Sequence, residues 1–409
     1  MKSTSISSLA IALGLTFSPL TYAASSTPTG AAVVTDNAFN PAMSLILSGG
    51  YTHASQDPES YRIAGFDLPK DAEAGPGTRG FSLSESELDL SANIDPWLRG
   101  VANIALGSDN SISVENAYIQ TTSLGHGLQL KAGRFFSDLG YVNSQHAHAW
   151  DFADAPLAYQ AMLGTQYADD GVQLTLLAPT DQFLQVGIEL GRGRSFPGTN
   201  TNRNGAGSSA FTLHTGGDVG DNHSWRAGIS TLHTKADAQE LSSIDANDHE
   251  VINAFTGITD VWILDGVWKW APNGNATRTN FKLQGEYLRS KRDGDFTYDT
   301  ETSNLTDAYT ATQSGWYLQG IYQFMPRWRM GLRTERLNSG TPDYASNQVN
   351  MTIPTDDARK HTVMLDYSPS EFSRVRLQFA KDYARGDVVD NQMVLLYQMS
   401  LGAHGAHSY

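Results

Sequence analysis

Between Gln145 and Pro156 the chain reads QHAHAWDFADAP, which brings His146, His148, Trp150, Asp151 and Asp154 into close succession. Two imidazoles at i and i+2 of extended backbone point the same way, with Asp151 and Asp154 able to approach. Imidazole nitrogen with carboxylate oxygen is a donor set that suits zinc. Two histidines do not complete a metal site, which needs a third or fourth ligand and groups behind the rings to orient them. The competing reading, favoured on the sequence alone, is a loop whose polar and aromatic side chains narrow an opening. The tail holds a second pair, His404 and His407, which can sit far from the first.

Catalytic chemistry finds little footing, and no enzyme is expected. Serine, histidine and aspartate are plentiful, yet no GxSxG elbow is present. The stretch AGPGTRG at 74–80 is glycine-rich but lacks the Lys-Ser/Thr of a phosphate loop and precedes a strand rather than a helix. DGDFTYD at 293–299 reads as a solvated acidic loop before it reads as a calcium site.

Which elements carry the histidine stretch follows from the rest of the chain. Lys2, the apolar run LAIALGLTF and the small residues Thr21 and Ala23 have the form of a secretory leader, so residues 1–23 are expected to be removed. Residues 24–38 then read as a periplasmic segment and 39–409 as one β-structured domain. There is no cysteine, so an exported fold must do without disulfides. The formal net charge of −15 makes nucleic acid an unexpected partner. Abundant Gly, Tyr, Phe and Trp with only 17% charged residues suit strands, tight turns and aromatic belts.

From about residue 40 onward the dominant period is two. Met43, Leu45 and Leu47 share a face in AMSLILSGGY; Leu88, Leu90, Ala92 and Ile94 oppose Glu87, Asp89, Ser91 and Asn93; Trp262, Leu264, Trp268 and Trp270 line one face of DVWILDGVWKW. About sixteen such segments, within a range of 14 to 18, are joined alternately by short turns and by longer polar connections at 54–80, 137–168, 194–209, 235–255, 289–312 and 338–359. The expected fold is all-β: a transmembrane antiparallel up-and-down β-barrel. Lipid buries the outward apolar faces, and closure pairs every backbone group. A soluble sandwich is the competing fold, but one wall of this length has no second sheet to cover it.

Parity then assigns the lumen. Val375, Leu377 and Phe379 face lipid, so Arg374 and Arg376 face inward. Arg329 and Arg333 do so beside Glu335, with Lys131, Lys282 and Glu286 as companions. These charges either bias ion passage or pair with lumen acids to stiffen the wall, and spacing leaves both open.

At VENAYIQTTSLGHGLQLKAGRFFSDLGY the chain resembles outer-membrane porins of the phosphate-selective type, through Glu115, Ala117, Tyr118, Gly133, Arg134 and Phe135. The block from GFSLSESELDLSAN through QHAHAWDFADAPL also resembles outer-membrane proteins labelled zinc-regulated or TonB-dependent receptors. The resemblances imply a Gram-negative outer-membrane location in lipid and lipopolysaccharide, passive diffusion of small polar or ionic solutes, and assembly as a homotrimer. The second group implies the alternative role of zinc-linked receptor. The chain departs from true TonB-dependent receptors in having no room for a plug domain and 22 strands. Phosphate selectivity is not carried over, because no dense Arg or Lys ladder is present. Tyr409 supplies the terminal aromatic usual in such barrels, although the last strand is expected to finish near Leu401.

Overall fold

The computed structural model describes residues 41–199, 202, 204–353, 357–386 and 388–402. The expected leader, the 24–38 segment, the tail histidines and Tyr409 lie outside the described residues. Seventeen strand segments form one sheet: β1 Ala42–Ala54, β2 Gly80–Leu83, β3 Ser86–Asn93, β4 Leu98–Leu106, β5 Ile112–Thr121, β6 Leu128–Phe136, β7 Ala168–Leu177, β8 Phe183–Gly191, β9 Ser208–Val219, β10 His223–Ile244, β11 Glu250–Trp270, β12 Asn280–Tyr298, β13 Leu305–Met325, β14 Trp328–Asn338, β15 Arg359–Ser370, β16 Ser373–Asp382 and β17 Asp390–Gly402. Each is antiparallel to its neighbours, and β1 pairs with β17 on one side and with both β2 and β3 on the other. β2 and β3 are therefore two parts of one stave, and the sheet closes as a 16-stave barrel. Closure leaves no open edge, as a wall facing lipid requires.

Alternation accounts for the wall. On β11, Trp262 and Leu264 are each 52% exposed on the outside, while Val261, Ile263 and Asp265, which alternate with them, are buried. The outward faces carry an apolar band that ends sharply: on β12, Phe281, Leu283 and Tyr287 give way to Arg289, Lys291, Asp293 and Asp295 at successive outward positions. Beside that boundary His233 Nδ1 lies 2.8 Å from Asp260 Oδ1, a half-exposed polar pair on the outside of β10 and β11. Trp268 against Phe281 and Trp328 against Tyr367 mark the belt at the other rim, where the short turns lie.

Two expected loops are strands instead. Residues 235–255 and 289–312 are polar on one face and carry residues such as Phe255, Phe296 and Tyr309 on the other, so β10 to β13 run on past the apolar band as long hairpins. Their connections are only 245–249 and 299–304. The inward aromatic residues of these extensions pack with Tyr344 and Met351 of the 339–358 connection. DGDFTYD belongs to this extended β12 up to Tyr298.

The 137–168 connection enters the barrel. Within it lies one short helix, α1 Leu157–Leu163, begun after Pro156 and ended by Gly164, whose φ of 61° closes the turn in the left-handed region. All seven helix residues are buried, and the surrounding cluster includes Leu139, Val142 and Trp150 of the loop with Ile263, Leu288, Tyr317 and Leu337 of the wall. Each fully buried Leu contributes about 1.5–3 kcal/mol relative to exposure. The 55–79 connection lies above it: Ile63 and Phe66 join the same cluster, and Gly75 N–H donates to Gln160 Oε1 at 3.0 Å.

Candidate functional site

The lumen charges anticipated from parity all face inward, and most of them hold the infolded loop. Asp151 pairs with Lys282 and, at 3.3 Å, with Arg329. Asp154 receives Arg333 at 2.9 Å, Lys360 at 2.8 Å and the Gln378 amide at 2.9 Å. Arg376 grips Asp366 through two N–H groups, at 2.7 and 2.9 Å, and donates to the Trp150 carbonyl at 3.1 Å; Arg374 donates to the His148 carbonyl at 2.7 Å. Planar guanidinium groups suit this bidentate and carbonyl-directed work. Glu335 accepts the Leu157 N–H at 2.6 Å, capping the start of α1, and is itself held by Arg333 at 2.8 Å.

Glu286 anchors the other end of the loop. Its carboxylate accepts from the Tyr141 and Val142 N–H groups at 3.0 and 3.2 Å and from the Tyr159 and Tyr317 hydroxyls at 2.7 and 2.5 Å. Four donors satisfy a buried carboxylate that makes no ion pair among the described residues. Gly140 stands where a Cβ would meet Glu286 and the Tyr159 hydroxyl, at a φ of 61°.

The metal reading of the opening stretch is corrected in its ligands. Asp151 and Asp154 do not approach the histidines, because lumen cations hold both carboxylates. His146 and His148 do point the same way, across a single 3-10 turn at Ala147–Ala149, with rings stacked 5.6 Å apart. They meet different acids: His148 Nδ1 lies 2.7 Å from Glu87 Oε1, and His146 Nδ1 lies 2.8 Å from Glu115 Oε2 and 3.1 Å from Glu87 Oε2. A one-residue bulge opposite Asn103 and Ile104 turns both Glu115 and Asn116 inward. The break between β2 and β3 likewise adds one residue relative to β1, so the apolar face changes from odd positions (Phe81, Leu83) to even ones (Leu88, Leu90). Both irregularities defeat parity, and the bulge is why Glu115 escaped it.

Near the short-turn rim a set of basic residues circles the lumen. Arg99 and Lys131 both pair across strands with Gln120, Lys269 stands opposite Lys282, and Arg226, Arg329 and Arg374 follow around the wall. Lys131 lies 5.0 and 5.1 Å from the centres of the Tyr118 and Phe135 rings, and Arg226 lies 5.2 Å from that of Tyr141. Among the described residues Lys131, Arg226 and Arg374 make no ion pair. The sequence reading missed Arg226, Lys269, Lys360 and Asp366. Parity places all four inward, as in HTVMLDY, where Asp366 alternates with Leu365 and Tyr367.

A closed 16-stave barrel, apolar outside and polar within, with one connection folded into the lumen, is the outer-membrane porin fold. Its place is the outer membrane of a Gram-negative bacterium. The trimer form of OmpT from Vibrio cholerae superimposes with a TM-score of 0.51 at 12% identity, over 89% of this chain and all of that one. The anion-selective porin from Comamonas acidovorans does so at 0.52 and 11%, over 88% and 99%. No family model matches the sequence. The chain belongs to one family with an uncharacterized protein of Aquifex aeolicus (strain VF5), to which it is 30% identical over 399 residues, 91% of this chain and 80% of the relative.

Proposed function

We propose that the protein is an outer-membrane channel for passive diffusion of small polar or ionic solutes, with a preference for anions. The observation that carries this reading is the infolded 137–168 connection, tethered by Asp151, Asp154 and Glu286 contacts, above a circle of basic side chains at the short-turn rim. The loop sets the size limit. The circle sets the sign, because Lys131, Arg226 and Arg374 rest on rings, carbonyls and amides and make no direct ion pair among the described residues.

The inward groups that keep partial exposure include Lys131 and Glu115 on the β5–β6 wall, His146 on the loop, and Lys282 and Arg329 on the wall opposite. They line the proposed path from the short-turn rim toward the infolded loop. Assembly as a homotrimer is part of the same reading, supported by resemblance in fold to a porin known in a trimer form. Its test is the mass of the detergent-solubilised particle after subtraction of detergent. The channel itself is tested by swelling of liposomes containing the purified protein in isotonic solutes of graded size. Entry of small sugars and amino acids with exclusion of larger oligosaccharides supports the reading, and liposomes that do not swell in any solute contradict it.

A further inference from the structure

We propose that Glu87, Glu115, His146 and His148 form a binding site for a first-row divalent transition cation, of which zinc is the type, fastening the loop to the β3–β5 wall. One ring nitrogen each of His146 and His148 and a Glu87 carboxylate oxygen all lie within 4.8 Å of one another, and so do single oxygens of Glu85, Glu87 and Glu115. Glu115 Oε2, 2.8 Å from His146 Nδ1, supplies a fourth donor. The set is two nitrogens and two carboxylate oxygens, the number and kind that tetrahedral zinc takes.

The unmet needs of the buried carboxylates point to a ligand. Glu87 is wholly buried, and its Oε2, although 3.1 Å from His146 Nδ1, lies off the line of a hydrogen bond. Glu85 Oε1 is also enclosed without a hydrogen-bond partner. Three carboxylates thus converge on two imidazoles. A divalent ion at the centre gives both enclosed oxygens a partner. The nitrogen donors select a transition cation over magnesium or calcium, which prefer all-oxygen surroundings.

The second layer makes a specific demand. Asn116 presents Nδ2 to His146 Nε2 at 3.1 Å, while its Oδ1 accepts from Phe136 N–H at 3.2 Å. With Asn116 turned this way, a neutral His146 carries its proton on Nδ1, facing Glu115. When Nδ1 binds the ion, that proton moves to Nε2 and needs an acceptor, which Asn116 provides only by turning its amide. An Asp at 116 provides one without turning, giving the carboxylate–histidine–metal arrangement.

The site does not depend on whether the barrel conducts, so binding is measured on the full-length protein in detergent, stripped with chelator and titrated with zinc chloride by calorimetry. The expected result is one tight zinc per chain. His148→Ala and Glu87→Gln each weaken it by ~10-fold or more, Asn116→Asp tightens it severalfold, and Asp293→Asn, at an exposed position on the outside of the barrel, leaves it within about twofold. Because lumen variants can fold poorly, the wild-type barrel loaded with cobalt(II) gives a second measurement, the intense visible absorption of a four-coordinate imidazole–carboxylate site. No stoichiometric zinc, zinc binding indifferent to His148→Ala and Glu87→Gln in folded variants, displacement by equimolar magnesium, or only the weak spectrum of hydrated cobalt would each overturn the proposal.

Discussion

Lys269 and Lys282 face each other directly across β11 and β12, and Asp151 of the infolded loop pairs with Lys282. Like charges directly opposite in a sheet repel, so the loop carboxylate stabilises the wall as much as the wall holds the loop. Replacing Asp151 by Asn takes away that counter-charge and one of the two carboxylates on Arg329. The expected outcome is a looser loop and a reversal potential shifted further toward anions in a potassium chloride gradient. An unchanged reversal potential would count against the placement of Asp151.

Arg376 and Asp366 form a bidentate pair with both side chains almost fully enclosed. Removing one partner of a buried pair leaves the other charge stranded, at a cost of about 3–5 kcal/mol. Arg329 also reaches Asp366, at 2.7 Å, and offsets part of this. Arg376→Met is therefore expected to destabilise the barrel by about 3 kcal/mol or somewhat less, read from urea unfolding in lipid vesicles. The same change at exposed Arg289 should cost under about 0.5 kcal/mol.

Gly140 supplies a direct test of how the loop is seated. Its positive φ and the absence of a Cβ let Glu286 and Tyr159 close over the chain. Gly140→Val combines backbone strain with a clash against Glu286. The loop is expected to leave its seat, so proteolysis within 141–156 becomes faster and single-channel conductance rises. Wild-type resistance in the variant would mean that the Glu286 cradle does not hold the loop.

A pH effect follows from Asp67 in the 55–79 connection. Burial pushes its carboxyl up to about 6, against the opposing pull of Arg292. The folded barrel thus holds the proton more tightly than the unfolded chain. This contribution to stability is fully present below the unfolded value near 4 and is lost as pH rises through about 6. Asp67→Asn should melt at higher temperature than wild type at about pH 7.5, with the difference closing by about pH 4. A gap of constant size across that range would show that Asp67 does not titrate between folded and unfolded states as described.

Much of this architecture was legible in the sequence, for a physical reason. A residue on a strand has only two sides to choose from, so Leu377 facing lipid puts Arg376 in the lumen without knowledge of anything else. The stave number and the inward direction of Arg329, Arg333, Glu335, Lys282 and Glu286 follow from the same period. What was hidden lies where the period breaks or where the partner is distant. Glu115 and Asn116 turn inward together only because of a bulge. The carboxylates of Asp151 and Asp154 are taken by cations on β12, β14 and β15, more than a hundred residues away, a choice that no local spacing records. The 235–255 and 289–312 stretches read as loops because their outward face is polar, as that of a strand becomes once it leaves the apolar band.

The most direct measurement is single-channel current through planar bilayers holding the purified wild-type barrel, beside the Asp151→Asn variant, in potassium chloride. Steady ohmic steps with an anion-side reversal potential, larger in the variant, are the predicted result. A wild-type barrel that inserts but passes no current, together with a variant equally silent, would contradict the reading of this lumen as a loop-narrowed passage.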